Sequence, residues 1–518
     1  MRFIGIQWLV LVFSLNYVAN AGHILAIFAF EGPIQYAFVE PLLKRLVQRG
    51  HHVTSITNFP IEDTAGNFRN IVIAENEILY NELLRTLTEP INKDRFDMKG
   101  SLFSIGFKMC ENILGHELVQ DIMQNDSFDL LFLDLIFSES LFGLAEHFQA
   151  PIVGFSTLGT TQKTDAFVGN ITPLSYVSFN YSHLQNMHFW TRCLNVALSA
   201  LKWLHYHYKY LVVHKEIYVR YFPNVTRSLD DMRKNFALVL RNDHFVISTP
   251  RPYVPNMIEV AGLHIPDEPE TLSEDVKQIL DSSQQGVIYV AIDDILPDHI
   301  MQMLLQQFQG LQQLVVWNSK TKPSTFLGKP SNVQFHTNLS HHAILSHPLV
   351  NLIICHGGYH HIIDSIHYGV PVLGIPNARG HPEDYFDFIG KMSHGISLRQ
   401  SHFNDQTLQK ALLDLLFSDH YRREAKFKSL QFRDQQNTPL ERAIYWIEYV
   451  LRHNGAGHLR NLGQNLSLLE FYNLDVFLYF SILAFTVMLI SYLILIFCKR
   501  LVKMFKQGLD FKNKLKNN

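Results

Sequence analysis

A histidine followed by two glycines, His356-Gly357-Gly358, is the first group here with chemistry in it. It comes directly after the apolar run Leu349–Cys355 and directly before a segment, His360–Tyr368, with helical spacing. A strand that ends in such a turn and opens a helix leaves backbone N–H groups free at the positive end of the helix dipole, where a diphosphate is held. His356 could add a hydrogen bond to the same oxygens. The tripeptide alone is a weak signal; its place between an apolar strand and Gly369-Val370-Pro371 strengthens it. Around it lie His341, His342, His347, His360, His361 and His367. His356 and His360 stand one helical turn apart, a spacing zinc can use. No His-Glu-X-X-His and no cysteine partner accompanies them, so no metal is expected. A Gly-X-Ser-X-Gly elbow and a phosphate-binding Walker loop are both absent from the sequence, which argues against a serine hydrolase and a P-loop enzyme.

The elements that must position this turn read as alternating strands and helices. In the first half they are a strand at His23–Phe30, an amphipathic helix at Phe38–Gln48, and strands at His52–Thr57, Leu130–Leu133 (ending at Asp134) and Pro151–Ser156, with a helix at Leu141–Phe148. The pattern resumes with strands at Gly286–Ile292, Leu314–Trp317, Leu349–Cys355 and Val370–Ile375, and helices at Pro297–Gln309 and His360–Tyr368. Such alternation predicts an α/β fold with parallel sheets covered on both faces. Two doubly wound, Rossmann-like domains facing a cleft are expected, 22–265 and 286–450, with a proline- and acid-rich hinge between them (266–285, foreshadowed from His264). The stretch His188–Phe222, with Trp190, Trp203, Leu201 and Tyr208 among basic residues, has two readings. It either meets a membrane surface or an apolar acceptor, or it is an ordinary buried helical pair.

The ends of the chain speak to topology. Residues 1–21 read as a signal peptide: Met1-Arg2, an apolar run from Ile4 to Leu15, then Ala19-Asn20-Ala21. Val476–Cys498 holds 23 residues without a charge, enough for a hydrocarbon core of roughly 30 Å. The tail 499–518 carries seven basic residues against Asp510, the mark of a cytosolic side. A single-pass type I protein with a luminal bulk follows. Lys514 and Lys516 have the spacing of a di-lysine retrieval signal, pointing to the endoplasmic reticulum membrane. Six Asn-X-Ser/Thr sites, at Asn125, Asn170, Asn180, Asn224, Asn338 and Asn465, agree with a luminal glycoprotein. Four cysteines make no disulfide framework, and at most Cys110 and Cys193 could pair. With a net charge of −3, of which the tail contributes +6, the rest of the chain is acidic and has no nucleic-acid footprint.

The run from Leu345 through His356-Gly357-Gly358, followed by Tyr368-Gly369-Val370-Pro371-Val372-Leu373-Gly374-Ile375-Pro376, resembles the signature of the animal membrane-bound UDP-glycosyltransferases. Phe38-Val39-Glu40-Pro41-Leu42-Leu43-Lys44, Thr249–Asn256 and Ala261-Gly262-Leu263-His264 extend the likeness over nearly the whole chain. The resemblance implies a GT-B fold, and transfer of a hexosyl or glucuronosyl group from a UDP-sugar co-substrate to a small lipophilic acceptor, with no other cofactor. Homo- or hetero-oligomers with related enzymes are a further implication. It also identifies departures. The family's general-base histidine falls at Gln35, whose amide has no useful basicity, and such a base is worth roughly 10²–10⁴-fold in rate. Asp134 matches the acid that orients that base. The tryptophan that stacks on uracil falls at Asn338, and the glutamine near it at His341. The phosphate-facing Gly-Ser becomes Asp293-Asp294, each carboxylate repelling a diphosphate by roughly 4 kcal/mol per charge pair at about 4 Å. The ribose-binding glutamate is Asp364, and the Asp-Gln pair for the sugar hydroxyls is Gly380-His381. His356, Gly357, Gly358 and Asp364 thus keep the donor-site pattern while base, stacking and sugar contacts are altered. A catalytically silent relative, binding apolar small molecules or pairing with active enzymes, is the alternative.

Overall fold

The computed structural model describes residues 21–516 apart from 31, 33–35, 62–65, 89–94, 179–186, 293–297, 319–328, 338, 357, 376–392 and 400–401. Two compact units divide the chain, Met1–Arg460 and Asn461–Asn518.

The first unit contains two parallel sheets. Seven strands, β1 (His23–Phe28), β2 (His52–Thr57), β3 (Phe68–Val72), β4 (Leu130–Asp134), β5 (Ile152–Ser156), β6 (Phe236–Arg241) and β7 (Met257–Glu259), are ordered β3-β2-β1-β4-β5-β6-β7. Six more, β8 (Val287–Ala291), β9 (Leu314–Asn318), β10 (Val333–His336), β11 (Val350–Cys355), β12 (Val372–Gly374) and β13 (Gly395–Ser397), are ordered β10-β9-β8-β11-β12-β13. Strands β1, β4, β5 and β8 are wholly or almost wholly buried, because helices cover both faces; hence they read as continuous apolar runs rather than alternations. In each sheet the strand order reverses once, between β1 and β4 and between β8 and β11. Such switch points open a crevice at the carboxyl ends of the strands. Asp134 ends β4 and His356 follows β11, so both stand beside one.

Helix formation follows local sequence. Glu40–Gln48 starts with a proline in its first turn, buries Leu42, Leu43, Leu46 and Val47 on one stripe, and gives way to Gly50 at φ 94°. Helix Tyr359–Tyr368 buries Ile362, Ile363 and Ile366 and stops at Gly369, whose φ of 69° suits glycine. A side chain at Gly369 would also come within 3.2 Å of Ser429 Cβ.

The two lobes share apolar contacts. One core cluster takes Ile24, Leu130 and Val153 from the first sheet and Val287, Tyr289 and Ile353 from the second. The stretch expected as a hinge contributes too: helix Glu274–Asp281 buries Val276 and Leu280 in that cluster. Helix Pro439–Arg452 returns to the first lobe. Arg49 of that lobe bonds Glu441 and Glu448, and Ile444 and Ile447 are fully buried. That return is invisible in a reading that assigns 286–450 to the second lobe.

The stretch His188–Phe222 is not a helical pair. It is one run of helix, Phe189–His205 continuing through five residues of wider π geometry (Tyr206–Tyr210) into Leu211–Tyr221. Cys110 is buried and Cys193 exposed, and both are free, so the one pairing the sequence allowed does not form. In the second unit, Leu474–Gly508 is long and apolar enough to cross a membrane, the one such helix among the described residues.

Candidate functional site

Asp134 lies at the end of β4 and is completely buried. One carboxylate oxygen accepts from the Ile136 N–H at 2.8 Å, and the other from the Thr157 hydroxyl at 3.0 Å. Burial nevertheless dominates and pushes its pKa up to about 6. Nearby, Glu139 is also fully buried but carries the opposite shift. Burial would raise it, yet Lys163 at 3.0 Å, His214, and the hydroxyls of Tyr210 and Tyr206 bring it down to about 2. Two carboxylates of one lobe are therefore separated by what faces them: a cation and two phenols in one case, a hydroxyl and an amide in the other.

Across the crevice, β11 delivers His356, 6% exposed, and Gly358 caps the helix Tyr359–Tyr368. The amino end of that helix faces the other lobe directly. The Tyr359 hydroxyl donates to the carbonyl of Asn242, in the loop after β6, at 2.9 Å. Gly358, the described glycine of the expected donor turn, thus lies next to a contact between the two lobes.

Asp364 sits on the same helix and is 1% exposed. Its Oδ1 accepts from His264 Nε2 at 2.9 Å and its Oδ2 from His341 Nε2 at 3.1 Å. Donation to the carboxylate puts a proton on Nε2 of His341; its Nδ1 lies 3.1 Å from the Tyr289 hydroxyl, which in turn accepts from the Asn318 amide. Burial would raise Asp364, but His264 and His341 outweigh it and hold the carboxyl well below the ordinary carboxylate range. Phe38 packs edge-on against His264, with ring centroids 4.7 Å apart. The result is a His–Asp–His clamp: Asp364, the position expected to hold ribose, is bonded to His341, the position of the family's glutamine, and to His264, which precedes the interlobe linker.

Of the sequence-predicted residues, Asp134, His341, His356, Gly358 and Asp364 are described. Asp364 and His341 are brought together, and Asp134 stands on the opposite lobe. Gln35, Asp293, Asp294, Asn338, Gly357 and His381 (with Gly380) lie outside the described residues. His264 and Tyr289 were missed as site residues. For His264 the available signal was its place at the end of Ala261-Gly262-Leu263; Tyr289 offered none, being one apolar strand residue among several.

The model of the UDP-glucoronosyl and UDP-glucosyl transferase family matches residues 35–508, nearly the whole chain. The chain belongs to that family. Among its curated relatives is UDP-glycosyltransferase UGT4 of Dactylopius coccus, 30% identical over 90% of this chain and 92% of the relative. UDP-glucuronosyltransferase 2A2 of Mus musculus is 26% identical over 85% and 86%. Solved structures agree on the fold. The glycosyltransferase SnogD of Streptomyces nogalater superposes with a TM-score of 0.56 at 15% identity, covering 83% of this chain and 99% of that one. A UDP-glucosyltransferase of Polygonum tinctorium gives 0.53 at 13%, covering 84% and 99%. At such identities the likeness shows the two-sheet GT-B architecture alone. Together with the apolar helix Leu474–Gly508, the mammalian relatives in the UDP-glycosyltransferase family suggest a membrane protein.

Proposed function

We propose that this UDP-glycosyltransferase-family chain transfers a hexosyl or glucuronosyl group from a UDP-sugar to small lipophilic acceptors whose nucleophile needs no deprotonation, amines above all. One observation carries the reading. Asp134, the partner of the family's general base, is sealed from solvent by Thr157 and Ile136, while the base position itself holds Gln35. A hydroxyl acceptor would then have to attack still protonated. A neutral amine already offers its lone pair: nitrogen attacks the anomeric carbon with inversion, UDP leaves with the bonding electrons, and the proton passes to water afterwards.

The Asp364 clamp favours a second reading, a catalytically silent relative that keeps the fold and binds apolar molecules or active partners. Thermal stabilisation of the purified protein by millimolar UDP separates the two, since a ligand binding only the native state raises the melting temperature. Transfer assays with matched amine and phenol acceptors, using UDP-glucose and UDP-glucuronic acid, test the first directly. Faster transfer to phenols than to amines would overturn it. No stabilisation by UDP and no transfer would leave the silent reading standing. Gln35→His alone is expected to restore little, because donor contacts are altered as well. The accompanying topology, a bulk luminal in the endoplasmic reticulum and a cytosolic basic tail, rests on the signal-like start and on the charges after Cys498.

A further inference from the structure

The helix Phe189–His205 is built inside out. Its residues facing the protein are polar. Asn195 donates to the carbonyls of Leu174 and Val177 at 2.8 and 2.9 Å, and Ser199 accepts from Gln162 at 3.0 Å. Most of its outward residues are apolar: Trp190 is 79% exposed, and Leu194, Leu201, Trp203 and Leu204 are exposed with it. Ordinary surface helices have the reverse arrangement, apolar side inward. The inversion is held firmly. At the π-turn the hydroxyls of Tyr206 and Tyr210 both donate to the buried carboxylate of Glu139, at 2.8 and 2.7 Å. Beyond that turn the register changes, and Leu211, Ile217 and Tyr218 point inward as usual.

We propose that this face is a membrane-contact surface, lying in the plane of the bilayer. Three observations choose lipid over other occupants. At about 100° per residue, the exposed apolar side chains cover roughly half the helix circumference, wider than the narrow seam two copies would share. Between His188 and Lys215 there is no acidic residue, while Arg192, Lys202 and Lys209 are exposed, which complements anionic headgroups. Trp190 and Trp203, separated by about 20 Å of helix at 1.5 Å per residue, are side chains suited to the membrane interface. A chain that also carries Leu474–Gly508 meets a bilayer at high local concentration, so even a modest apolar face is engaged. The proposal does not depend on the donor chemistry.

The tryptophans make it testable on the full chain. There are five, and none lies in Leu474–Gly508; Trp317 is 2% exposed and Trp446 partly buried. Full-length protein would be reconstituted into phosphatidylcholine vesicles with a minority of phosphatidylserine, with and without brominated acyl chains, which quench tryptophan on contact. We expect a loss of emission in the brominated vesicles that disappears in the Trp190→Phe/Trp203→Phe protein. Those conservative changes leave the polar inner face, and hence folding, untouched. Equal quenching of parent and variant would overturn the proposal. So would an absence of quenching combined with a crosslink between copies at Cys193, which is exposed on the same helix and would then mark a protein interface.

Discussion

Replacing Asp134 by asparagine should make the protein more stable at neutral pH. The carboxylate is fully buried and its pKa is raised from 3.8 to about 6. A raised native pKa means that the folded state holds its proton longer than the unfolded state. The contribution is therefore complete below the unfolded value, declines as pH climbs from about 4 to about 6, and stays lost above. Two pH units correspond to about 3 kcal/mol. Asparagine is isosteric here: its oxygen can accept from the Ile136 N–H and its amide can donate to the Thr157 hydroxyl, so nothing is left unpaired. For a folded unit of this size the unfolding entropy is roughly 1 kcal/mol per kelvin, and the expected gain in melting temperature at pH 7 is about 3 °C. Melting curves of parent and Asp134→Asn in detergent, at steps between pH 4 and pH 8, give the comparison. The two should coincide near pH 4 and separate upward. A gap independent of pH, or a variant that melts lower at pH 7, would show that the carboxylate is stabilised by its surroundings and that burial does not dominate.

Four further substitutions test neighbouring claims. His341→Ala releases one oxygen of Asp364, and one charge-assisted hydrogen bond to a ribose hydroxyl should then tighten UDP binding by about tenfold, read by calorimetry; an unchanged affinity would remove the clamp as an obstacle to the donor. Lys163→Met strands the Glu139 carboxylate in the interior and should cost about 3–5 kcal/mol, of which Lys163→Met/Glu139→Gln recovers a large part in denaturant melts. Because Glu139 is depressed to about 2, its stabilising share in the parent is present above its usual value near 4.5 and lost as pH falls toward 2, so the Lys163→Met deficit should shrink in acid. Gly369→Ala forces a side chain into a left-handed backbone against Ser429 and should lower stability by about 1–2 kcal/mol, visible as a lower melting temperature.

The parallel sheets were legible because buried parallel strands leave uninterrupted apolar runs. His52–Thr57 was placed to the residue, and Leu314–Asn318 and Val350–Cys355 within one. What escaped depends on contacts between segments far apart in the chain. No local pattern announces that helix Pro439–Arg452 crosses to Arg49, nor that His264 and His341, 77 positions apart, meet on one carboxylate. The dense histidines around 341–367 were visible, and a metal was the natural question to ask of them. The structure gives one of these rings another occupation, His341 donating to Asp364. For Phe189–His205 the sequence left a membrane surface or apolar acceptor and a buried pair both open, because periodicity shows a stripe and not which way it points.

The pKa of Asp134 raises the question of whether this acid could itself serve as the base in the proposed transfer, given that the family resemblance puts Gln35 at the base position. A value of about 6 lies in the range where a carboxylate is ionised at neutral pH and still basic enough to accept a proton. Position decides against it. A general base must come within hydrogen-bond reach of the proton it takes, and Asp134 has no exposed surface and both oxygens engaged. An acceptor hydroxyl could reach it only after Thr157 had turned away and β4 had opened. The acid therefore has the basicity of a base without the access of one, and its cost to stability is not repaid by proton transfer in this geometry. Under the proposed function the burden of nucleophilicity falls on the acceptor itself, which is why amines rather than phenols are the substrates to try first.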